Sequence, residues 1–152
     1  MTLQPTPSRT VTPMPGSYQS GGCDVNGDPL AWVAKLPSAT DDFWLDASLE
    51  VADSGASVFM FSFDVYYGDG ALVVKRQIVD GNVCGLLLSA GTPGIFYAVR
   101  ILATLTDDRV LSWNVALPMF NEAAGTVYNN IVGTNGAALS YAGRLLPGST
   151  GG

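Results

Sequence analysis

Along the middle of the chain, apolar and polar residues alternate with a period of two. Phe43, Leu45, Ala47, Leu49 and Val51 interleave with Trp44, Asp46, Ser48, Glu50 and Ala52. Successive side chains of a strand point to opposite faces, so the first set is expected on a core and the second, Trp44 included, toward solvent. After the turn residues Asp53-Ser54-Gly55, Phe59, Phe61, Phe63 and Val65 alternate with Met60, Ser62, Asp64 and Tyr66. Aromatic and β-branched residues suit a pleated, half-buried surface, and this segment carries the clearest strand signature of the chain.

The pattern repeats downstream. Residues 72–79 read as a strand closed by the tight turn Asp80-Gly81-Asn82. Residues 83–89 follow, then the breaker Ala90-Gly91-Thr92-Pro93-Gly94, a strand over 95–105, the turn Thr106-Asp107-Asp108-Arg109 and a last strand over 110–117. A shorter strand over 30–36 precedes them all. Seven short strands with frequent turns predict an all-β fold, a two-sheet antiparallel β-sandwich. A 3.6-residue period is lacking, except that Asn121 to Ile131 is compatible with a short helical turn.

Composition divides the chain into three. Residues 1–28 hold Pro5, Pro7, Pro13 and Pro15 and then a Gly/Ser run, so they are expected to form an extended arm without a core of their own. Residues 29–120 are read as the folded domain. Residues 121–152 are glycine-rich with two charges, Glu122 and Arg144, yet carry Tyr128, Ile131, Val132, Leu139, Tyr141, Leu145 and Leu146. Such an arm cannot bury itself alone but has enough apolar surface to order against a partner, and both arms are expected to do so.

Charge then narrows the functions. Charged residues make up 13% of the 152, about half the roughly 25% usual for a soluble domain, which suggests a chain that seeks partners. The net charge of −6 argues against nucleic-acid binding, which needs clustered cations. With no histidine, Ser-His-Asp and Cys-His catalysis and His-ligated metals are excluded within this chain. Cys23 and Cys84, 61 residues apart, read as two reduced thiols. The start has no apolar signal core and no segment is long enough to span a bilayer, so the expectation is a protein made inside a cell, with no membrane partner.

Other candidate chemistry is thin. Asp24-Val25-Asn26-Gly27-Asp28 lacks the frame of an EF-hand and is read as a turn. Asp41-Asp42 and Asp107-Asp108 are paired carboxylates that would serve a hydrolase only if their loops converged on one cleft. Trp32, Trp44 and Trp113 raise a carbohydrate-binding module as the alternative to a protein-binding one, an outward Trp44 being its stacking platform. Protein interfaces also favour Trp and Tyr, and Trp44, Tyr66, Tyr67, Tyr128 and Tyr141 are the expected contact residues. No catalytic, cofactor or metal site is expected.

The order of segments carries a resemblance. Lys35-Leu36-Pro37 followed by Asp42-Phe43-Trp44-Leu45-Asp46 resembles the opening of small phage fiber-tail adaptor proteins, which have a Lys-x-Pro-like lead into an aromatic, Asp-containing strand. Leu88-Ser89-Ala90-Gly91-Thr92-Pro93-Gly94 with Tyr97 is similar to their Ser-Gly-Gly-Thr-x-Gly-x-x-Tyr stretch, and Ala103 to Arg109 to their strand ending in Thr, Asp or Gly, then Arg. The likeness covers about 35–118. It departs where Ala90 replaces a glycine and Asp108 stands where a glycine often precedes the Arg. The resemblance implies an Ig-like sandwich in a tailed-phage virion, joining fiber or receptor-binding components to the tail or neck in a symmetric assembly after synthesis in the host cytoplasm.

Overall fold

The computed structural model describes residues 3–121, 140–141 and 144–145. Its elements are β1 (Thr10–Val11), β2 (Asp41–Asp46), α1 (Ser48–Ser54), β3 (Val58–Tyr67), β4 (Leu72–Asp80), β5 (Val83–Ala90), β6 (Phe96–Leu105), β7 (Val110–Pro118), β8 (Ser140–Tyr141) and β9 (Arg144–Leu145). The chain is an all-β sandwich. One sheet has the order β1-β2-β5-β4 and the other β3-β6-β7. First-second-fifth-fourth against third-sixth-seventh is the strand order of an immunoglobulin constant-type domain, with the difference that β1 runs parallel to β2. The remaining pairs within the two sheets are antiparallel.

Period-two alternation builds the core between the sheets. Phe43 and Leu45 of β2, Cys84, Leu86 and Leu88 of β5, Tyr97, Val99, Ile101, Ala103 and Leu105 of β6, and Leu111, Trp113, Val115 and Leu117 of β7 are buried together. The Cys84 thiol, pushed up to about 11 by burial, stays protonated in this setting.

Four expectations are corrected. The alternation assigned to one strand through Val51 breaks after Asp46, whose carboxylate accepts the Ser48 N–H at 2.9 Å and starts α1. Gly55 ends that helix at φ 76°. Helical spacing buries Glu50 and Val51 and leaves Leu49 exposed. Second, the segment 30–36 is not a regular strand. It lies along β7 in parallel through Trp32 N–H to Ala116 O, Ala116 N–H to Leu30 O and Lys35 N–H to Pro118 O. Third, Trp44 is fully buried rather than exposed.

The fourth concerns the N-terminal arm, which lies on its own domain rather than awaiting a neighbour. Thr10 and Val11 pair with Trp44 and Leu45. Arg9 donates to Asp42 Oδ1 at 2.7 Å and to the Asp42 carbonyl at 2.6 Å, and Thr6 Oγ1 donates to Asp42 Oδ2 at 3.0 Å. Farther on, the Gly16 N–H reaches the buried Glu50 carboxylate at 2.8 Å, and Gly21 O accepts the Asn114 N–H. Proline-rich composition disfavours long strands, and within residues 3–28 the strand β1 is two residues long. What it could not show is the pair of buried carboxylates, Asp42 and Glu50, that pin it.

Candidate interaction surface

The four outer positions of the two sheets differ in how they are finished. On one side of the first sheet, β1 covers β2. On one side of the second, the segment around Ala31 and Lys35 covers β7. The other two edges, β4 and β3, have one neighbouring strand each among the described residues. An uncovered edge presents a row of backbone N–H and C=O groups and templates pairing with another chain. The β4 edge carries Lys75, Arg76 and Asp80 and a bulge between Val74 and Arg76, devices that discourage such pairing.

β3 is different. Its polar-face and core-face positions were expected to separate cleanly, with Phe59, Phe61 and Phe63 inside. Only Phe61 is fully buried, while Phe59 is 72% exposed, Tyr67 53% and Met60 49%, with Phe63 and Tyr66 also partly exposed. At Phe59 the cause is an irregularity, one of two in the strand. Register shifts between Val58 and Met60 and between Val65 and Tyr67 leave Phe59 and Tyr66 as extra residues opposite β6. A bulge residue drops out of the alternation and its side chain is re-aimed. Between the bulges, residues 60–65 pair regularly with β6.

At one end of this strand the aromatic residues are organised. The Tyr67 ring stacks on Phe96 with centroids 4.9 Å apart and planes 18° off parallel. The Arg100 guanidinium lies 4.6 Å from the Tyr66 ring centroid. The following turn is clamped by Asp69, which accepts hydrogen bonds from Thr92 Oγ1 and from the Tyr97 hydroxyl, the latter at 2.6 Å. The same hydroxyl accepts the Thr92 N–H at 2.9 Å. These bonds, Thr92 foremost and then Tyr97, hold the Asp69 carboxyl down at about 2. Burial, with the bond to Asp69 adding to it, raises Tyr97 above its ordinary value. Gly68 makes the close approach possible, since a Cβ there would run into the Tyr97 ring.

The expected contact residues therefore separate. Tyr66 and Tyr67 are brought together with Phe96 and Arg100. Trp44 leaves the surface. Its indole packs over Gly85, where an added Cβ would come within 2.5 Å of the ring, and donates to Asp42 Oδ2 at 2.5 Å. Burial pushes the Asp42 carboxyl up, but the bonds from Trp44, Arg9 and Thr6 outweigh it and hold it below its ordinary value. With Trp32, Trp44 and Trp113 all buried, the stacking platform of the sugar-binding alternative is absent. Tyr128, the side chain of Tyr141 and the helical turn over 121–131 fall outside the described residues. Phe59, Met60 and Phe63 were missed as contact candidates; the available signal was that Met60 and Tyr66 put apolar groups on the supposedly polar face too.

The carboxylate pairs serve structure. Asp42 binds the arm, and Asp107 pairs with Arg109 at 2.7 Å. Asp41 lies opposite Leu88 at the end of the sandwich where β6 begins, whereas Asp107 sits in the turn after β6, so the two loops are at opposite ends. Asp24 accepts the N–H groups of Asn26 and Asp28 and so closes its own turn. Among the described residues no group of three or more acidic or cysteine side chains gathers in a way that would hold a metal ion, and no helix is long and apolar enough to cross a membrane.

Two of the stretches that carried the family likeness, those of Lys35 and of Ala90 to Tyr97, meet in one place. Lys35 is buried and its ammonium donates to the carbonyls of Leu36 and Ala90 at 2.8 Å. Ala90 begins the loop whose Thr92 joins Tyr97 and Asp69. Ala90 (φ 63°) and Asp108 (φ 72°) are the non-glycine residues with left-handed backbone among those described, and both stand where the family pattern has glycine. The family model for the podophage GP4 fiber-tail adaptor protein gp77 matches residues 35–118. No curated protein matches the chain.

Proposed function

The chain belongs to the podophage fiber-tail adaptor family, a structural adaptor of the virion, and from that premise we propose that it joins a fiber or receptor-binding component to the tail or neck purely by protein-protein contact, without catalysis. The observation that supports this most is the β3 edge. A ten-residue strand with Phe59, Met60, Phe63, Tyr66 and Tyr67 at the surface is a poor choice for a protein that stays alone in water. Interfaces favour such residues because aromatic rings bury much area with few rotatable bonds, and Tyr keeps a polar end.

The sandwich acts as a rigid block in this reading. Its Asp69–Tyr97–Thr92 clamp fixes the turn that presents Tyr66 and Tyr67, so less conformational freedom is lost on docking. Tyr66, Tyr67 and, from the C-terminal arm, Tyr128 and Tyr141 are the contacts we propose. Repetition by symmetry would let many modest contacts hold a fiber firmly. Synthesis takes place in the host cytoplasm. The test is to build particles with Phe59→Lys/Tyr67→Ala protein. Fiber content per particle, measured by quantitative mass spectrometry, should fall to background while the purified variant keeps its fold. Particles that retain full fiber content would end this assignment of the surface.

A further inference from the structure

We infer that Lys35 is a positioning residue: its buried ammonium holds the Ala90 turn in a left-handed backbone state and so sets the Asp69–Tyr97–Thr92 clamp. Lys35 is 2% exposed, and its Nζ donates to the carbonyls of Leu36 and Ala90, each at 2.8 Å. A buried ammonium holds its acceptors firmly, because each charge-assisted bond it loses leaves charge out of water without a partner. The Ala90 carbonyl is thereby tied to a fixed point. The main chain of Lys35 makes that point rigid, its N–H donating to Pro118 O and its carbonyl accepting from the Phe120 N–H, each at 3.0 Å.

Ala90 needs such a tie. Its φ is 63°, a state that a Cβ disfavours by roughly tenfold in population. Glycine adopts it freely, as Gly91 and Gly94 adopt φ 109° and 77° in the same turn. Released from Lys35, Ala90 would relax to negative φ and swing its carbonyl away. Two residues on, Thr92 donates its N–H to the Tyr97 hydroxyl at 2.9 Å and its own hydroxyl to Asp69. Between them Gly91 has little room to absorb the change, since a Cβ there would lie 2.5 Å from Met119 Cε. A shift at Ala90 therefore reaches Thr92 and, through Asp69, the turn that follows Tyr67. As a role in presenting Tyr66 and Tyr67 the inference rests on the adaptor reading, but its test does not.

The experiment places Lys35→Met, which keeps most of the side-chain length without its charge, in the full chain and in the full chain carrying Ala90→Gly. Amide exchange is then followed by NMR. With Ala90 present, exchange at Thr92 should rise about tenfold while Ile101 and Val115 in the core stay unchanged. With Ala90→Gly, the same substitution should alter Thr92 by less than about threefold, because glycine holds the left-handed state unaided. A lysine that merely fills space would cost the same in both backgrounds. Folding lost only where Ala90 is retained would also bear the inference out. Acceleration at Thr92 that is equal or greater with Ala90→Gly, folding lost in both backgrounds, or no change at Thr92 in either would overturn it. Every one of these results leaves the fiber content of particles to decide the adaptor reading independently.

Discussion

The edge of β2 and the edge of β3 begin as the same problem and are solved in opposite ways. At β2 the chain's own first residues are laid alongside, two of them in register, and fastened by Arg9 and Thr6 on Asp42 and by Gly16 on Glu50. The apolar residue that would otherwise face water, Trp44, becomes part of the interior. At β3 the equivalent residues, Phe59, Met60 and Tyr67, stay exposed. A buried carboxylate makes the difference. Asp42 gathers a guanidinium, a hydroxyl and an indole N–H, and removing an ion from water is repaid only when its partners are complete. Among the described residues β3 has no such anchor and no strand beyond it.

Breaking the closed side should cost most. Trp44→Ala, which empties the site over Gly85, is expected to destabilise the fold by about 4 kcal/mol. Tyr67→Ala should change stability by no more than about 0.5 kcal/mol. Urea denaturation of both variants tests the pair, and comparable losses would show that the two aromatic residues are not differently placed. Asp42→Ala should follow at about 3 kcal/mol, because Arg9 and the Trp44 N–H lose their acceptor. Its extra signature is increased amide exchange over residues 6–16, with little change in β6.

Acid should loosen the closed side by the same route. The folded-state pKa of Asp42 lies below its ordinary value, so its contribution is full above about pH 4 and is lost as pH falls through the folded value. Amide exchange of the arm, corrected for the intrinsic rate, should rise in that window, and Asp42→Asn should remove the dependence. Asp69, held at about 2, protects the β3–β4 turn to still lower pH. A chemical-shift titration of its carboxyl with a midpoint near 4 would contradict the clamp.

Smaller effects sharpen the picture. Ala90→Gly should stabilise by about 1 kcal/mol, since a side chain at φ 63° carries a left-handed penalty that glycine avoids. Asp108→Gly should gain less, about 0.5 kcal/mol, because Asp tolerates that region better. Thermal melts decide both. Phe59→Lys should move stability least, within about 0.5 kcal/mol, and show its effect instead in the fiber content of particles.

Much of this protein was legible in the residues. Alternation located the strands from 58 to 118, because a two-residue period reports directly which side chains meet a core. With no histidine among the 152 residues, the chain itself supplies no imidazole base or ligand. The Lys35 lead, the Ala90-to-Tyr97 loop and the Asp107-to-Arg109 turn pointed to the family. Those motifs are backbone geometry and buried hydrogen bonds, which a linear string of turn residues can encode.

Three things were decided only in the folded molecule. Trp44 follows the alternation and sits off the main core, yet whether that outer face meets water depends on the segment around Thr10, far earlier in the chain. Phe59 leaves its expected face because the bulge there is set by pairing with β6, which no local pattern records. The run from Ser48 is helical in a setting where Glu50 is buried and accepts from the Gly16 N–H and the Trp113 indole, both far off in sequence. Local sequence fixes what a residue prefers; burial and edge position depend on which distant segment arrives beside it.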